Sequence, residues 1–460
     1  MPEVTLTQVL QAREARAQMQ QTLLSTYGCP LICFTMNIAG PVKTSPLIER
    51  AFGVGLYALN SRLPLKQIRF QSIEITITGC QAMYLVDTDA LLLKKICTAI
   101  EDETALGRLF DMDVLDTKGV RLGRDLVNGK SRDCIVCGAS GRECAAGRLH
   151  SVTTLQKKTQ AIISDYFVDA KPKHLAASDS EYIAALAAQS LVDEVYTTPK
   201  PGLVDRCNNG SHSDMNLSMF LESANSLRPY FQECVKIGQD SRHLSPNLTF
   251  DQLRKAGLTA EHTMYKVTGG VNTHKGAIYT IGLLCGALGR LWTPTEPIAD
   301  ISSILSQCAQ VAFSSVIHDF SDLSSPLTAG KKLYLKYGIT GVRGQAANGF
   351  PAIAHTGLRV FSNALCKGLS YNDAGVLTLL HLIAVVDDTN LYHRGGKAGA
   401  DYAAHAVQTL LSTTPYPSKE QVAALDSDFI ERNLSPGGCA DLLAATYFLH
   451  RLTQQHYPKR

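Results

Sequence analysis

The sequence predicts two domains, an α+β unit followed by a larger all-α unit. Length is the first observation, since 460 residues leave room for about three average domains or two large ones. Texture is the second. Segments of strand and helix period alternate up to about residue 150, whereas Ala- and Leu-rich helical segments such as 181–195 and 374–386 follow one another from about residue 181. The third is the polar stretch 169–180, which contains Pro172 and reads as a connector. The expected boundaries are 1–172 for the first domain, 173–180 for a linker and 181–460 for the second.

The chain opens with a helix, because Leu6, Val9 and Leu10 stand at i, i+3 and i+4 and the segment runs through Met19 and Leu23 to a stop at Gly28. Leu31-Ile-Cys-Phe-Thr35 reads as a buried strand and residues 45–63 as a helix. Ile73, Ile75 and Ile77 alternate with Glu74, Thr76 and Thr78, the period of a half-exposed strand. Further on, Thr198-Pro-Lys-Pro-Gly-Leu-Val-Asp-Arg206 cannot be mid-helix, since each proline removes a backbone donor. No fixed-period repeat or low-complexity tract interrupts the chain.

Composition excludes several functions. With 45% hydrophobic and 18% charged residues the chain is neither disordered nor fibrous. Its 44 basic and 41 acidic residues leave a net charge of +3, too little to nominate nucleic acid or a membrane surface as partner. The longest strongly apolar stretch, 375–386, is interrupted by Thr378 and His381 and falls short of a bilayer span. Thirteen cysteines, an odd number, and an N-terminus without a signal-type apolar core point to the reducing cytoplasm and to free thiols.

In the first domain the sharpest feature is Gly107-Arg-Leu-Phe-Asp-Met-Asp-Val114. On a strand, Asp111 and Asp113 would share one face, where hard oxygen ligands hold Mg²⁺ and the phosphates it bridges; a solvated strand end is the plainer alternative. Arg108, Arg124 and Arg132 are the phosphate-binding candidates among the basic residues from 108 to 148, which also read as a mixed-charge surface. Cys134-x2-Cys137-x6-Cys144-x5-His150 offers enough soft ligands for a tetrahedral Zn²⁺ site, although buried free cysteines and a hydrogen-bonded histidine would leave the same trace.

In the second domain the loop with Lys200 and Asp205 leads to Asn209-Gly-Ser-His-Ser-Asp-Met215, so that His212 and Asp214 are candidates for the same cleft. Gly269-Gly-Val-Asn-Thr-His-Lys-Gly276 places Asn272, Thr273, His274 and Lys275 on a glycine-rich turn before a helix start, where backbone N–H groups can take a phosphate. Asp388 and Asp441 end or begin apolar runs and are candidates for a metal site or for helix capping, with Asn390 and Arg394 beside the first.

Gly107-Arg-Leu-Phe-Asp-Met-Asp-Val-Leu115, Arg132-Asp-Cys-Ile-Val-Cys137, Cys144-Ala-Ala-Gly-Arg-Leu-His150 and Phe34-Thr-Met-Asn-Ile-Ala-Gly-Pro-Val-Lys43 resemble the citrate lyase holo-acyl-carrier-protein synthase family. That resemblance implies a nucleotidyltransferase-type unit, transfer of phosphoribosyl-dephospho-coenzyme A to a carrier-protein serine, and release of pyrophosphate. Gln81 and Ala146 depart from the family pattern, where an acid and an arginine are expected.

From about residue 181 to 450, Pro199-Lys-Pro-Gly-Leu-Val-Asp205, Gly270-Val-Asn-Thr-His-Lys-Gly276, Asp388-Thr-Asn390, Arg394-Gly-Gly396 and Glu431-Arg-Asn-Leu-Ser-Pro-Gly-Gly438 resemble the triphosphoribosyl-dephospho-coenzyme A synthase family. The resemblance implies displacement of adenine from ATP by the ribose 2′-hydroxyl of 3′-dephospho-coenzyme A, with Mg²⁺ as cofactor. Asp205, Asp214, Asp388 and Asp441 are then the available acids, and Lys200, Lys275, Arg343 and Arg394 the cations for the phosphates. Gln345 stands where the family usually has glutamate, and reads as a change beside the site. A nucleotide or ADP-ribose hydrolase and a non-catalytic binder of coenzyme A-like nucleotides are the competing functions.

Overall fold

The computed structural model describes residues 3–64, 67–321 and 329–453, in two compact units divided between Tyr182 and Ile183. The first unit is α+β. Helix α1 (Leu6–Tyr27) starts at a Thr5–Gln8 capping box and stops at Gly28, whose φ of 63° fits the left-handed cap position. Strand β1 (Leu31–Met36), helix α2 (Pro46–Asn60), strands β2 (Ile68–Thr76) and β3 (Gly79–Val86), helix α3 (Ala90–Glu103) and strand β4 (Phe110–Leu115) follow. Beyond them come a short helix α4 (Gly141–Ala146), α5 (Val152–Asp169) and α6 (Pro172–Tyr196). The predicted strand over 73–78 is found, but Ile77 and Thr78 form the turn into β3.

The four strands run in the order β2-β3-β1-β4, every neighbouring pair antiparallel. Residues directly opposite one another project to the same face. One face carries Phe34, which stacks on Phe52 of α2 at 4.7 Å and meets Phe110 edge-on at 5.3 Å. The other face is graded: Leu85, Leu31 and Leu115 form one row, Met83, Cys33 and Asp113 the next, and Glu74, Gln81, Thr35 and Asp111 the third. Leu23 and Leu24 of α1 cluster with the apolar end of that face, so the polar end is left for chemistry.

The predicted linker 173–180 is instead part of α6. Pro172 opens this helix rather than breaking the chain, because proline is well tolerated in the first turn. Lys173 and His174 are exposed, but Ser178, Asp179 and Ser180 are buried, and Asp179 takes a bidentate pair from Arg50, with Nε at 3.1 Å and NH2 at 2.9 Å.

The second unit is all-α, as expected. After the part of α6 it contains, its helices are α7 (Leu217–Ser241), α8 (Pro246–Val267), α9 (Lys275–Leu291), α10 (Ile301–Ser321), α11 (Ala329–Tyr337), α12 (Gly341–Ala347), α13 (Leu358–Cys366), α14 (Tyr371–Val385), α15 (Thr389–Thr413), α16 (Lys419–Glu431) and α17 (Gly437–Thr453). Helix α9 is buried almost all round, and α7 crosses it backbone to backbone: a Cβ on Gly238 would fall 2.1 Å from the Gly286 carbonyl oxygen. Among the described residues no single helix is long and apolar enough to cross a membrane; α14 and α15 meet that test only together, across a 57° bend.

Candidate functional site

A cavity of about 560 Å³ lies within the second unit. Its wall includes the starts of three long helices, with Lys275 and Gly276 of α9, Thr389 and Asn390 of α15, and Gly437 and Gly438 of α17. Helix N-termini present unsatisfied N–H groups and a partial positive charge, so this wall is suited to phosphate. Asn272 accepts from the Lys275 N–H at 3.1 Å, and Lys275 Nζ pairs with Glu261 at 2.8 Å.

Five carboxylates line the same cavity: Glu194, Asp214, Asp387, Asp388 and Asp441. Asp388 caps α15, accepting from the Asn390 N–H at 2.8 Å, and its other oxygen accepts from the Cys439 N–H of α17, also at 2.8 Å. Asp441 sits against the start of α9 so closely that a Cβ on Gly276 would fall 1.9 Å from its Oδ2; only glycine fits there. Burial, and then the charges of Glu194 and Asp388, push the Asp441 carboxyl well above the usual carboxylate range. Burial likewise raises Asp388 and Glu194.

Glu194 was not among the sequence candidates. It lies near the end of α6, pairs with the buried Lys200 Nζ and lines the cavity. The signal that could have found it is an acidic pair, Asp193-Glu194, closing an otherwise apolar helix just before the Pro-Lys-Pro loop.

Lys200 is 1% exposed, and its Nζ donates to the Glu194 carbonyl at 2.9 Å as well as to the side chain. It compensates a buried acid, which is not the free phosphate-binding role expected of it. Asp205 departs from expectation more fully: it does not line the cavity. Its oxygens accept from Thr198 Oγ1 at 2.7 Å and from the backbone of Lys200, Cys207 and Asn208 at 3.0, 2.6 and 3.1 Å, tying a loop that contains a cis Thr198–Pro199 bond. The loop's few internal backbone bonds, such as Leu203 N–H to the Lys200 carbonyl at 3.2 Å and Asp205 N–H to the Asn208 carbonyl at 3.0 Å, leave other N–H groups for the carboxylate to accept.

His212, Asp214, Asn390 and Arg394 do meet at the cavity. Arg394 donates to His212 Nδ1 at 3.0 Å, which leaves the imidazole proton on Nε2, 2.9 Å from Ser435 Oγ. Burial, then the neighbouring guanidinium, holds His212 down to about 4. His274 is also neutral, pushed to about 3 by burial and the Lys200 charge. Thr273 donates to Ser223 Oγ at 2.8 Å, and Ser223 lies 2.7 Å from His274 Nδ1. The chain of donors leaves N–H at His274 Nε2, which has no partner among the described residues. Gln345 lines the cavity and accepts from the Ala352 N–H at 3.0 Å. Arg343 does not line it; its charge lies near enough to Lys275 to be felt there.

In the first unit, β4 places Asp111 and Asp113 on one face, as its period predicts. Burial and the Asp111 charge raise Asp113 to about 6, against the pull of Arg121 at 2.6 Å. Gln81, on the same face, accepts from Arg16 Nε at 2.5 Å. The arginines expected to hold phosphate are otherwise engaged. Arg124 spends Nε on the Lys130 carbonyl at 3.0 Å, NH1 on Glu101 at 2.7 Å and NH2 on Asp102 at 2.6 Å. Arg132 also pairs with Glu101, and Arg108 donates to the Asp133 carbonyl. Glu101 is 2% exposed, so its charge demands these partners. Cys134, Cys137, Cys144 and His150 come together, their ligand atoms all within 4.8 Å of one another.

The paired-acid sheet face of one unit and the acid-lined cavity of the other belong to a chain whose two units each match a transferase family. Residues 4–166 match the family of apo-citrate lyase phosphoribosyl-dephospho-CoA transferases, CitX, and residues 180–460 that of ATP:dephospho-CoA triphosphoribosyl transferases, CitG. "Protein CitXG" of Haemophilus influenzae is 37% identical, covering 97% of this chain and 96% of its own length. Protein CitXG of Leuconostoc mesenteroides subsp. cremoris is 32% identical over 98% and 97%. A 2-(5″-triphosphoribosyl)-3′-dephosphocoenzyme-A synthase of Haemophilus ducreyi is 38% identical over 68% of this chain and 98% of its own. The chain belongs to the CitX–CitG fusion family and is a bifunctional transferase of citrate lyase prosthetic-group synthesis.

Proposed function

We propose that the second unit displaces adenine from ATP with the ribose 2′-hydroxyl of 3′-dephospho-coenzyme A, and that the first unit then transfers phosphoribosyl-dephospho-coenzyme A to a serine of the citrate lyase acyl carrier protein, releasing pyrophosphate. The observation that carries the reading is the convergence of buried acids and three helix N-termini on one cavity. In the first reaction the hydroxyl oxygen bonds to C1′ and loses its proton, while the C1′–N9 pair leaves with adenine, which gains one. The positive charge that develops on the ribose calls for a carboxylate, and Asp441 and Asp388 are the acids beside the helix starts. The triphosphate suits the N-termini of α9, α15 and α17, with Lys275 and Arg394 as cations.

Mg²⁺ fits the donor sets. Asp441 and Asp388 in the second unit, and Asp111 and Asp113 in the first, are oxygen ligands; burial first and neighbouring acids second raise Asp441 and Asp113, and a divalent cation would relieve that cost. When bound it would neutralise phosphate oxygens as charge develops. In the first unit the carrier serine is the nucleophile, so the protein need supply none.

Mass-resolved detection of adenine and triphosphoribosyl-dephospho-coenzyme A, after incubation with ATP, Mg²⁺ and 3′-dephospho-coenzyme A, tests the reading. Both products are expected, and adenine only when the coenzyme is present. Adenine without the coenzyme would make the second unit a hydrolase, and nucleotide binding without either product would make it a binding module.

A further inference from the structure

We infer that Cys134, Cys137, Cys144 and His150 form a closed structural Zn²⁺ site that holds residues 116–150 of the first unit together. Zn–S bonds of about 2.3 Å and a Zn–N bond of about 2.0 Å imply tetrahedral edges of about 3.8 Å between sulfurs and about 3.5 Å from sulfur to nitrogen. Cys137 Sγ lies 3.5 Å from Cys144 Sγ and 3.3 Å from His150 Nε2, and all four ligand atoms fall within 4.8 Å of one another. Few other arrangements of four soft donors would bring them to one point.

The backbone is folded for the same purpose. Cys134 N donates to the Ala139 carbonyl at 2.6 Å and Gly138 N to the Cys134 carbonyl at 2.9 Å, closing a tight knuckle around the Cys134-x2-Cys137 pair with Gly138 at φ 75°. The Val136 N–H points at Cys134 Sγ from 3.5 Å, as suits a thiolate. Ser140 caps α4, which carries Cys144, and Arg148 at φ 48° turns the chain back so that His150 reaches Cys137.

A second, independent observation is what the segment lacks. Across residues 116–150 only Cys144 is buried, while Val120, Leu126 and Leu149 are more than half exposed. A stretch of this length with no apolar core needs a staple. All four positions are filled by protein ligands, so the site has no open position for chemistry. Its reach is positional, because the knuckle begins at Arg132 and Asp133, which contact Glu101 and Arg108, and Arg108 lies just before β4.

The test uses the full chain, purified without chelator. Metal analysis is expected to find about one Zn²⁺ per chain, lost in Cys134→Ser and Cys144→Ser but retained in Cys366→Ser, an exposed cysteine outside the cluster. Cobalt substitution of the unmutated chain is expected to give thiolate charge-transfer bands and the intense visible bands of a tetrahedral ion, which keeps the inference testable if a variant fails to fold. A zinc-selective chelator, with Mg²⁺ kept in excess, should loosen 116–150 in hydrogen exchange and leave the second unit's adenine release unchanged. Protein isolated without zinc, with these thiols free or with Cys137 and Cys144 joined as a disulfide, would overturn it, as would zinc retained by Cys134→Ser and Cys144→Ser.

Discussion

The acids of the two units are held in opposite ways. Asp111 and Asp113 ride one strand of a sheet, so their closeness follows from two-residue periodicity and their face stays partly open to solvent. Glu194, Asp388 and Asp441 come from α6, the cap of α15 and α17, brought together only by the packing of an all-helical unit. Acids from neighbouring strand positions are thus local features; acids from separate helices are tertiary ones. The second arrangement allows deeper burial, with the larger electrostatic cost that the Asp441 shift expresses.

The largest expected effect breaks the comparison at Asp441. Asp441→Asn should lower adenine formation by on the order of 100-fold or more, while transfer of supplied prosthetic-group precursor by the first unit is unchanged. A raised carboxyl in the fold means that the ionised form is less favourable there than in water, so the isosteric amide should also raise the thermal midpoint. A variant less stable than the parent, with activity intact, would remove Asp441 from the site.

Next comes the buried pair. Lys200→Met leaves Glu194 without its cation and should cost about 3–5 kcal/mol of stability, read as a lowered denaturant midpoint. Lys200→Met combined with Glu194→Gln should recover much of that loss, since both charges are gone. Independent, additive losses would show that the two side chains are not coupled.

The same contrast explains what was legible in the sequence. Asp111 and Asp113 could be placed because strand period alone fixes their face, and the capped ends of α1 carry local signals such as Gly28. Asp388 and Asp441 stand out because they end or begin apolar runs, whereas Glu194 lies near the end of α6 and is defined by Lys200 across a loop. Asp205 and Arg124 show the converse. Their residue types suited a site, but the N–H donors of a proline-rich loop and a buried Glu101 had prior claims on them. Those claims depend on burial, which composition does not encode. The 173–180 stretch differs from expectation for the same reason, Ser178, Asp179 and Ser180 being buried in α6 with Asp179 paired to Arg50.

A pH titration sharpens the contrast further. His212, at about 4, and His274, at about 3, are held below an unfolded value of about 6.5. The unfolded chain therefore binds more protons than the fold between about pH 6.5 and those values, so stability falls as pH falls through that window and is fully present above it. His212→Asn, which keeps an acceptor for Arg394, should make the decline shallower when thermal midpoints are followed from pH 7 to pH 5. An unchanged slope would mean that His212 is protonated in the fold.

The smallest effect on stability belongs to Arg121, whose side chain is 66% exposed where it meets Asp113 at 25%. Such pairs contribute about 0–1 kcal/mol, so Arg121→Ala should move the thermal midpoint little. Its charge nevertheless pulls down an Asp113 already raised to about 6 by burial and Asp111, and without it the carboxyl should titrate higher. Transfer to the carrier protein would then fall at pH 6.5 relative to pH 8, while adenine release keeps its parent profile at both. In the open unit a cation sets the protonation of the acids, and in the closed unit the corresponding cation, Lys200, holds the fold; a large stability loss in Arg121→Ala would erase that distinction.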